Sequence, residues 1–292
     1  MSEYDFQPVI VIGAARSGTK LVRDLVAEHP SIDKVPYDIN YVWRLGNEDI
    51  PHDELLVEKL TPYIRQRIIR HFRPSKSQAP FLIEKTVSNC LRIPFVNAVF
   101  PDARFIHLVR DGCDVVESVY RQWQAPTDWR YAFQKAQTFP IWQAPGYAID
   151  YAKKTISKLF FRNSHVVGTW GARYVGIDED VANLELLEVC AIQWARSVEK
   201  AMQDLNNLPR ERVLLIRYEE FVKSPRQYLK AIAQFLGVDS LPYEVKDHLA
   251  QKVSKDNIGK GFRNLSADDQ ALVLRHIEST LALLDYSQPV ET

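Results

Sequence analysis

The first residues with chemical reach lie in "GAARSGTK", Gly13 to Lys20, directly after the apolar run "PVIVI". Gly13 and Gly18 stand at the separation of a phosphate loop, and Arg16, Ser17, Thr19 and Lys20 add two charges and two hydroxyls. A Walker A loop has Lys followed by Ser or Thr, whereas here Thr19 precedes Lys20 and Leu21 follows it. Two readings stand: a glycine turn without a ligand, or a phosphate loop serving chemistry other than metal-assisted NTP hydrolysis. A loop between a buried strand and a helix turns its backbone N–H groups above the sheet edge, where the helix N-terminus favours an anion. An NTPase also needs a metal-holding hydroxyl after the Lys and an acidic residue at a strand end. Asp111 and Glu219 are candidates for the acid, but nothing supplies the hydroxyl.

A second constellation lies in "RFIHLVRDGCDVVESVYRQW". Arg110 leaves a strand end and Ser118 lies about two helical turns further on. Both can reach one phosphate near the C-terminal edge of an open α/β sheet, where such folds bind ligands. Alone they are an ordinary surface pair; with the first loop they imply a ligand carrying two separate anionic groups. His107 sits mid-strand and reads as a core residue. The other histidines stand alone and form no metal constellation.

The elements that must position these groups are legible as strand–helix alternation. Four apolar runs without polar alternation, "VIVI" (9–12), "FLIE" (81–84), "RFIHLV" (104–109) and "RVLLIRY" (212–218), read as strands buried on both faces of a parallel sheet. Leu21, Val22, Leu25 and Val26 make a helix face after the first, stopped by His29–Pro30. Val115, Val116, Val119, Tyr120 and Trp123 do so after the third, with Asp111 or Asp114 placed to cap. After the last, Pro225 suits a first helical turn and Gly237 a C-terminal cap. Amphipathic helices are expected over 181–205 and 266–284. The pattern predicts an α/β fold, a three-layer sandwich with a central parallel sheet and the phosphate loop after the first strand. Residues 121–180 carry many aromatics and no clean strand. They read as an insertion over one end of the sheet within a single domain spanning 1–292, covering the acceptor side; a plain peripheral core is the structural alternative.

Composition narrows the partners. Lys+Arg and Asp+Glu balance at 37 each in 292 residues, so no global field draws the chain to nucleic acid or membrane. Three widely spaced cysteines, Cys90, Cys113 and Cys190, form no CxxC pair, which argues against a zinc site or a disulfide framework. The polar start "MSEYDFQ" does not read as a signal peptide, and no apolar stretch is long enough to span a bilayer. A cytoplasmic setting is expected; the oligomeric state is not readable.

With these segments in place the chain resembles the sulfotransferases that use 3′-phosphoadenosine 5′-phosphosulfate (PAPS), of the bacterial and carbohydrate type. "RSGT" looks like their 5′-phosphosulfate loop, and "RFIHLVRDGCDVVESVY" like their 3′-phosphate motif, with Arg110 and Ser118 at the family spacing. "LLIRYEEFVKSP" is similar to their strand-plus-Tyr segment, which implies Tyr218 beside the nucleotide. "KDNIGKGFRNLS" resembles their late glycine-basic loop, with Gly259 and Lys260. The resemblance implies sulfuryl transfer without a metal, from PAPS to a hydroxyl or amine of a carbohydrate, lipid or small-metabolite acceptor, leaving adenosine 3′,5′-bisphosphate. Arg16 takes the place of the family's usual loop cation. Lys85, in "EKT", matches a family lysine that contacts the phosphosulfate, the alternative being an ordinary salt bridge. Leu21 stands where many cytosolic members have an adenine-stacking tryptophan, so stacking must come from elsewhere.

The acceptor must lose a proton, so a base is required. Animal phenol-type members use a histidine two residues after the lysine, but Val87 stands here. Other members use a carboxylate shortly after the first helix, which points to Asp38 in "HPSIDKVPYDINYVWR"; Glu84, beside Lys85, is the second candidate. Lys153, Lys154, Lys158 and Arg162 form either an acceptor clasp or a solvated basic face. A small-molecule kinase with an atypical loop and a non-catalytic binder of adenosine bisphosphate are the competing readings.

Overall fold

The computed structural model describes residues 4–75, 79–124, 171–239 and 253–286. Five strands, β1 (Gln7–Ile12), β2 (Ile32–Lys34), β3 (Phe81–Glu84), β4 (Arg104–Val109) and β5 (Val213–Arg217), pair in the order β2-β3-β1-β4-β5. Every pairing is parallel. The order places β1 at the centre, so the loop that follows it opens between the ends of β3 and β4.

Alternate residues of the sheet enter two different layers, as the period of two demands. Val9, Val11, Ile106 and Leu108 pack with α1 (Thr19–Val26), α8 (Tyr218–Lys223) and α9 (Pro225–Leu236). Ile10, Ile12, Leu82 and Phe105 face α2 (Asn40–Trp43), α3 (Pro62–Ile69), α4 (Ile93–Val99) and α7 (Leu186–Leu205). A third cluster joins α5 (Gly112–Gln124), α7 and α11 (Ala267–Leu283) beyond the sheet's C-terminal edge. Two further α-helices are short: α6 (Ile177–Asn183) and α10 (Lys260–Asn264).

The expected three-layer α/β architecture and the four long strands are observed. β2 is the added element: "IDK" contains one apolar residue among charges and pairs over three residues at the sheet edge, Ile32 opposite Phe81. The helix expected over 181–205 is two helices. The chain is extended at Leu184, and α7 opens on a capping box in which Glu185 and Glu188 satisfy each other's backbone N–H groups. The last helix opens as its sequence indicates, with the Ser266 hydroxyl accepting from Asp269 N–H. Gly237 closes α9 in the left-handed region at φ 68°. The central part of the aromatic 121–180 segment, with the four basic residues from Lys153 to Arg162, lies outside the described residues; its ends belong to α5 and α6.

Candidate active site

The loop after β1 reverses through two left-handed residues, Arg16 at φ 66° and Gly18 at φ 89°. Turns of this kind collect successive N–H groups into an anion-binding concavity. Only glycine fits the second position, because a Cβ on Gly18 would lie 2.6 Å from the Tyr218 ring. Tyr218 is buried at the start of α8, and the Arg110 guanidinium lies over its ring, 4.5 Å from the centroid. Thr19 is buried at the first turn of α1, while Lys20 is exposed beside it.

Arg110 is 7% exposed and braces two segments. Its Nη1 donates to the Arg16 carbonyl at 3.0 Å and its Nη2 to the Asn257 carbonyl at 2.7 Å. Ser118, on α5, accepts from Arg16 Nε at 3.0 Å. The two sequence motifs therefore meet in one cluster of Arg16, Ser118, Arg110 and Tyr218. Partial desolvation and the Arg110 charge lower the Arg16 pKa from its usual value; the side chain remains at the surface. Two polar atoms of this cluster, Ser17 Oγ and Arg110 Nε, are buried without a hydrogen-bond partner. Buried polar atoms are nearly always paired, so these two mark where an anionic ligand would complete the site.

On the other side of the loop, Lys85 follows β3 and its Nζ lies 2.9 Å from Asp38 Oδ2 and 3.2 Å from Oδ1. The Val87 N–H donates to Asp38 Oδ1 at 3.2 Å, and the Thr86 hydroxyl accepts from Ile39 N–H at 3.1 Å. These bonds fix the segment after β2 against the end of β3. The Asp38 side chain is 40% exposed and Lys85 only 11%, so the carboxylate is the open member of the pair. Glu84 is different. It is fully buried, accepts from the Thr86 hydroxyl and from Asn89 Nδ2, and burial raises its pKa to about 7.

That shift has a measurable consequence. Between its ordinary value of 4.5 and about 7, Glu84 is protonated in the folded chain and ionised in the unfolded one. The unfolded state then binds fewer protons, so stability falls as pH rises through this window. Glu84→Gln is expected to flatten that part of the stability–pH curve in denaturant titrations. An unchanged slope would show that Glu84 ionises normally.

Gly259, at φ 68°, and Lys260, half-buried at the start of α10, lie on the segment that Arg110 holds through Asn257. His107 is a core residue whose pKa burial pushes down to about 4. Asp111 and Glu219 engage each other, the Asp111 N–H donating to Glu219 Oε1 at 2.9 Å. Sequence reasoning missed a buried network around Asp53, which accepts from Asn40, Arg44, Ser88 and the Arg173 N–H. Arg92 joins it, donating to Asn40 and Asn89. Its bonded partners lie up to 120 residues apart, and no local pattern announces them.

A sequence profile of the sulfotransferase family matches residues 8–156 and 162–242. The chain belongs to the sulfotransferase family. It is 23% identical over 250 residues to protein-tyrosine sulfotransferase 2 of Gallus gallus, covering 79% of this chain and 51% of that protein. It is 30% identical over 128 residues to human protein-tyrosine sulfotransferase 1, covering 38% of this chain and 34% of the relative. The chain thus spans about half or less of the length of these curated relatives. Among solved structures it is similar to the sulfotransferase domain from the curacin biosynthetic pathway, with a TM-score of 0.53 at 17% identity, over 97% of this chain and 99% of that one. A Mycobacterium avium sulfotransferase gives a TM-score of 0.54 at 13% identity, over 98% and 79%. This sulfotransferase thus shares their fold. No described helix is long and apolar enough to cross a membrane.

Proposed function

We propose that this sulfotransferase moves the sulfuryl group of PAPS to the hydroxyl of a small-molecule or glycan acceptor, by in-line transfer without a metal and in a cytoplasmic setting. The observation that carries the reading is the hydrogen-bonded cluster of Arg16, Ser118 and Arg110 at the loop after β1, with Ser17 Oγ and Arg110 Nε buried and unpartnered. When bound, PAPS supplies an activated sulfuryl group on an adenosine bisphosphate leaving group. The loop N–H groups, Ser17, Gly18, Thr19 and Lys20 would hold its 5′ side, and Arg110, Ser118 and Lys260 its 3′-phosphate, while Gly259, whose N–H is given to Asp114, shapes the segment that carries Lys260. Tyr218 packs against this cradle at Gly18 and at the Arg110 guanidinium. Arg16 and Lys85 supply positive charge where a metal would otherwise act. Asp38 removes the acceptor proton: its carboxylate is the exposed partner of Lys85, whereas Glu84 has no surface for an acceptor to reach. The tyrosine-sulfating relatives support an oxygen nucleophile as acceptor.

The 121–180 segment is proposed to cover the acceptor. Its support is the anchor at its return, where Asp53 N–H donates to the Arg173 carbonyl and the Asp53 carboxylate accepts from Arg173 N–H and from Asn40, two residues from Asp38.

The donor reading predicts a dependence on the 3′-phosphate. Adenosine 3′,5′-bisphosphate is expected to raise Tm well above the effect of AMP at equal concentration, and Arg110→Ala to remove most of that difference. A charge-assisted hydrogen bond contributes about 1.5–3 kcal/mol, so the preference should exceed roughly tenfold in Kd. Equal stabilisation by AMP and the bisphosphate would overturn the reading.

A further inference from the structure

Asp114 sits in the first turn of α5 with its side chain fully buried, and the chemistry above does not use it. Both of its oxygens are spent on a segment far along the chain: Gly259 N–H donates to Oδ2 at 2.9 Å and Gly261 N–H to Oδ1 at 2.7 Å. Gly261 approaches α5 so closely that a Cβ there would lie 2.3 Å from the Cys113 carbonyl carbon and oxygen. Arg110 makes a second tie, to the Asn257 carbonyl, and lies 3.6 Å from Asp114 Oδ2. The segment is also braced within itself, since Arg263 donates to the carbonyls of Asp256 and Ile258, each at 3.0 Å. A rigid loop is thus latched to the helix that carries Ser118, by a carboxylate next to the arginine that faces the nucleotide.

We propose that Asp114 is a positioning residue: its two backbone bonds hold the 257–261 loop against α5, and this docking sets the affinity for the 3′-phosphate of the nucleotide. The inference rests on the PAPS reading and extends it to a group that never touches the ligand. A carboxylate suits the role because both N–H groups need an acceptor. In Asp114→Asn one of them meets an amide NH2, which cannot accept. The loop then loses one tie while volume is conserved.

The test is calorimetric titration of the whole chain with adenosine 3′,5′-bisphosphate and with AMP. Asp114→Asn is expected to weaken the bisphosphate about tenfold, as for the loss of a charge-assisted bond, and to leave AMP nearly unaffected. A general loss of structure would weaken both alike. Gly261→Ala perturbs the same docking from the opposite side without altering Asp114, and should give the same selective loss; it decides the matter if Asp114→Asn does not fold. A wild-type chain without 3′-phosphate preference would overturn the donor reading and the latch with it. A wild-type preference that both variants retain would overturn the latch alone.

Discussion

Asp38→Asn is expected to lower turnover by about 10²–10⁴-fold, the usual worth of a positioned general base, while adenosine bisphosphate binds as in the wild type. Asparagine keeps the size of the side chain and an oxygen for the Val87 N–H, which Asp38 accepts at 3.2 Å. It loses the proton-accepting charge and the ion pair with Lys85. The effect should therefore fall on kcat. Glu84→Gln should cost far less, because its carboxyl is sealed between Thr86 and Asn89 with no exposed surface. A near-normal Asp38→Asn beside an inactive Glu84→Gln would move the base to Glu84.

Lys85→Ala is expected to depress kcat by about 10²–10³-fold, comparable with removing one preorganised donor to developing charge. Bisphosphate affinity should change much less, since only interactions stronger in the transition state than in the ground state raise the rate. The 11% exposure of Lys85 strengthens its field by keeping water away. Arg16→Ala should follow the same pattern from the opposite side of the loop. Variants that raise KM with kcat unchanged would assign both residues to ground-state binding instead.

Much of the candidate site was legible because its residues stand close together in the sequence. The loop from Gly13 to Lys20 announces itself by two glycines between a buried strand and a helix, and Arg110 with Ser118 by their helical spacing. The four long strands read clearly because burial on both faces leaves apolar runs without alternation. β2 did not: three residues with two charges at a sheet edge resemble loop sequence. The break between α6 and α7 was hidden because Glu185 caps where Ser, Thr, Asp or Asn is usual. The bonds that complete the site were illegible for another reason. Asp114 meets Gly259 across 145 positions and Arg92 meets Asn40 across 52, and neither pairing leaves a periodic trace. The pair of Asp38 and Lys85 lay between these extremes, since each residue stood out by family position while their contact depended on β2 pairing with β3.

The central claim is that this site transfers a sulfuryl group from PAPS. Its most direct test is incubation of the chain with 35S-labelled PAPS and a metabolite and glycan extract, with a metal chelator present. Label is expected on a non-nucleotide product together with stoichiometric release of adenosine 3′,5′-bisphosphate, both slowed about 10²–10³-fold in Lys85→Ala. No transfer of label, alongside magnesium-dependent phosphorylation of the same extract by ATP, would contradict it.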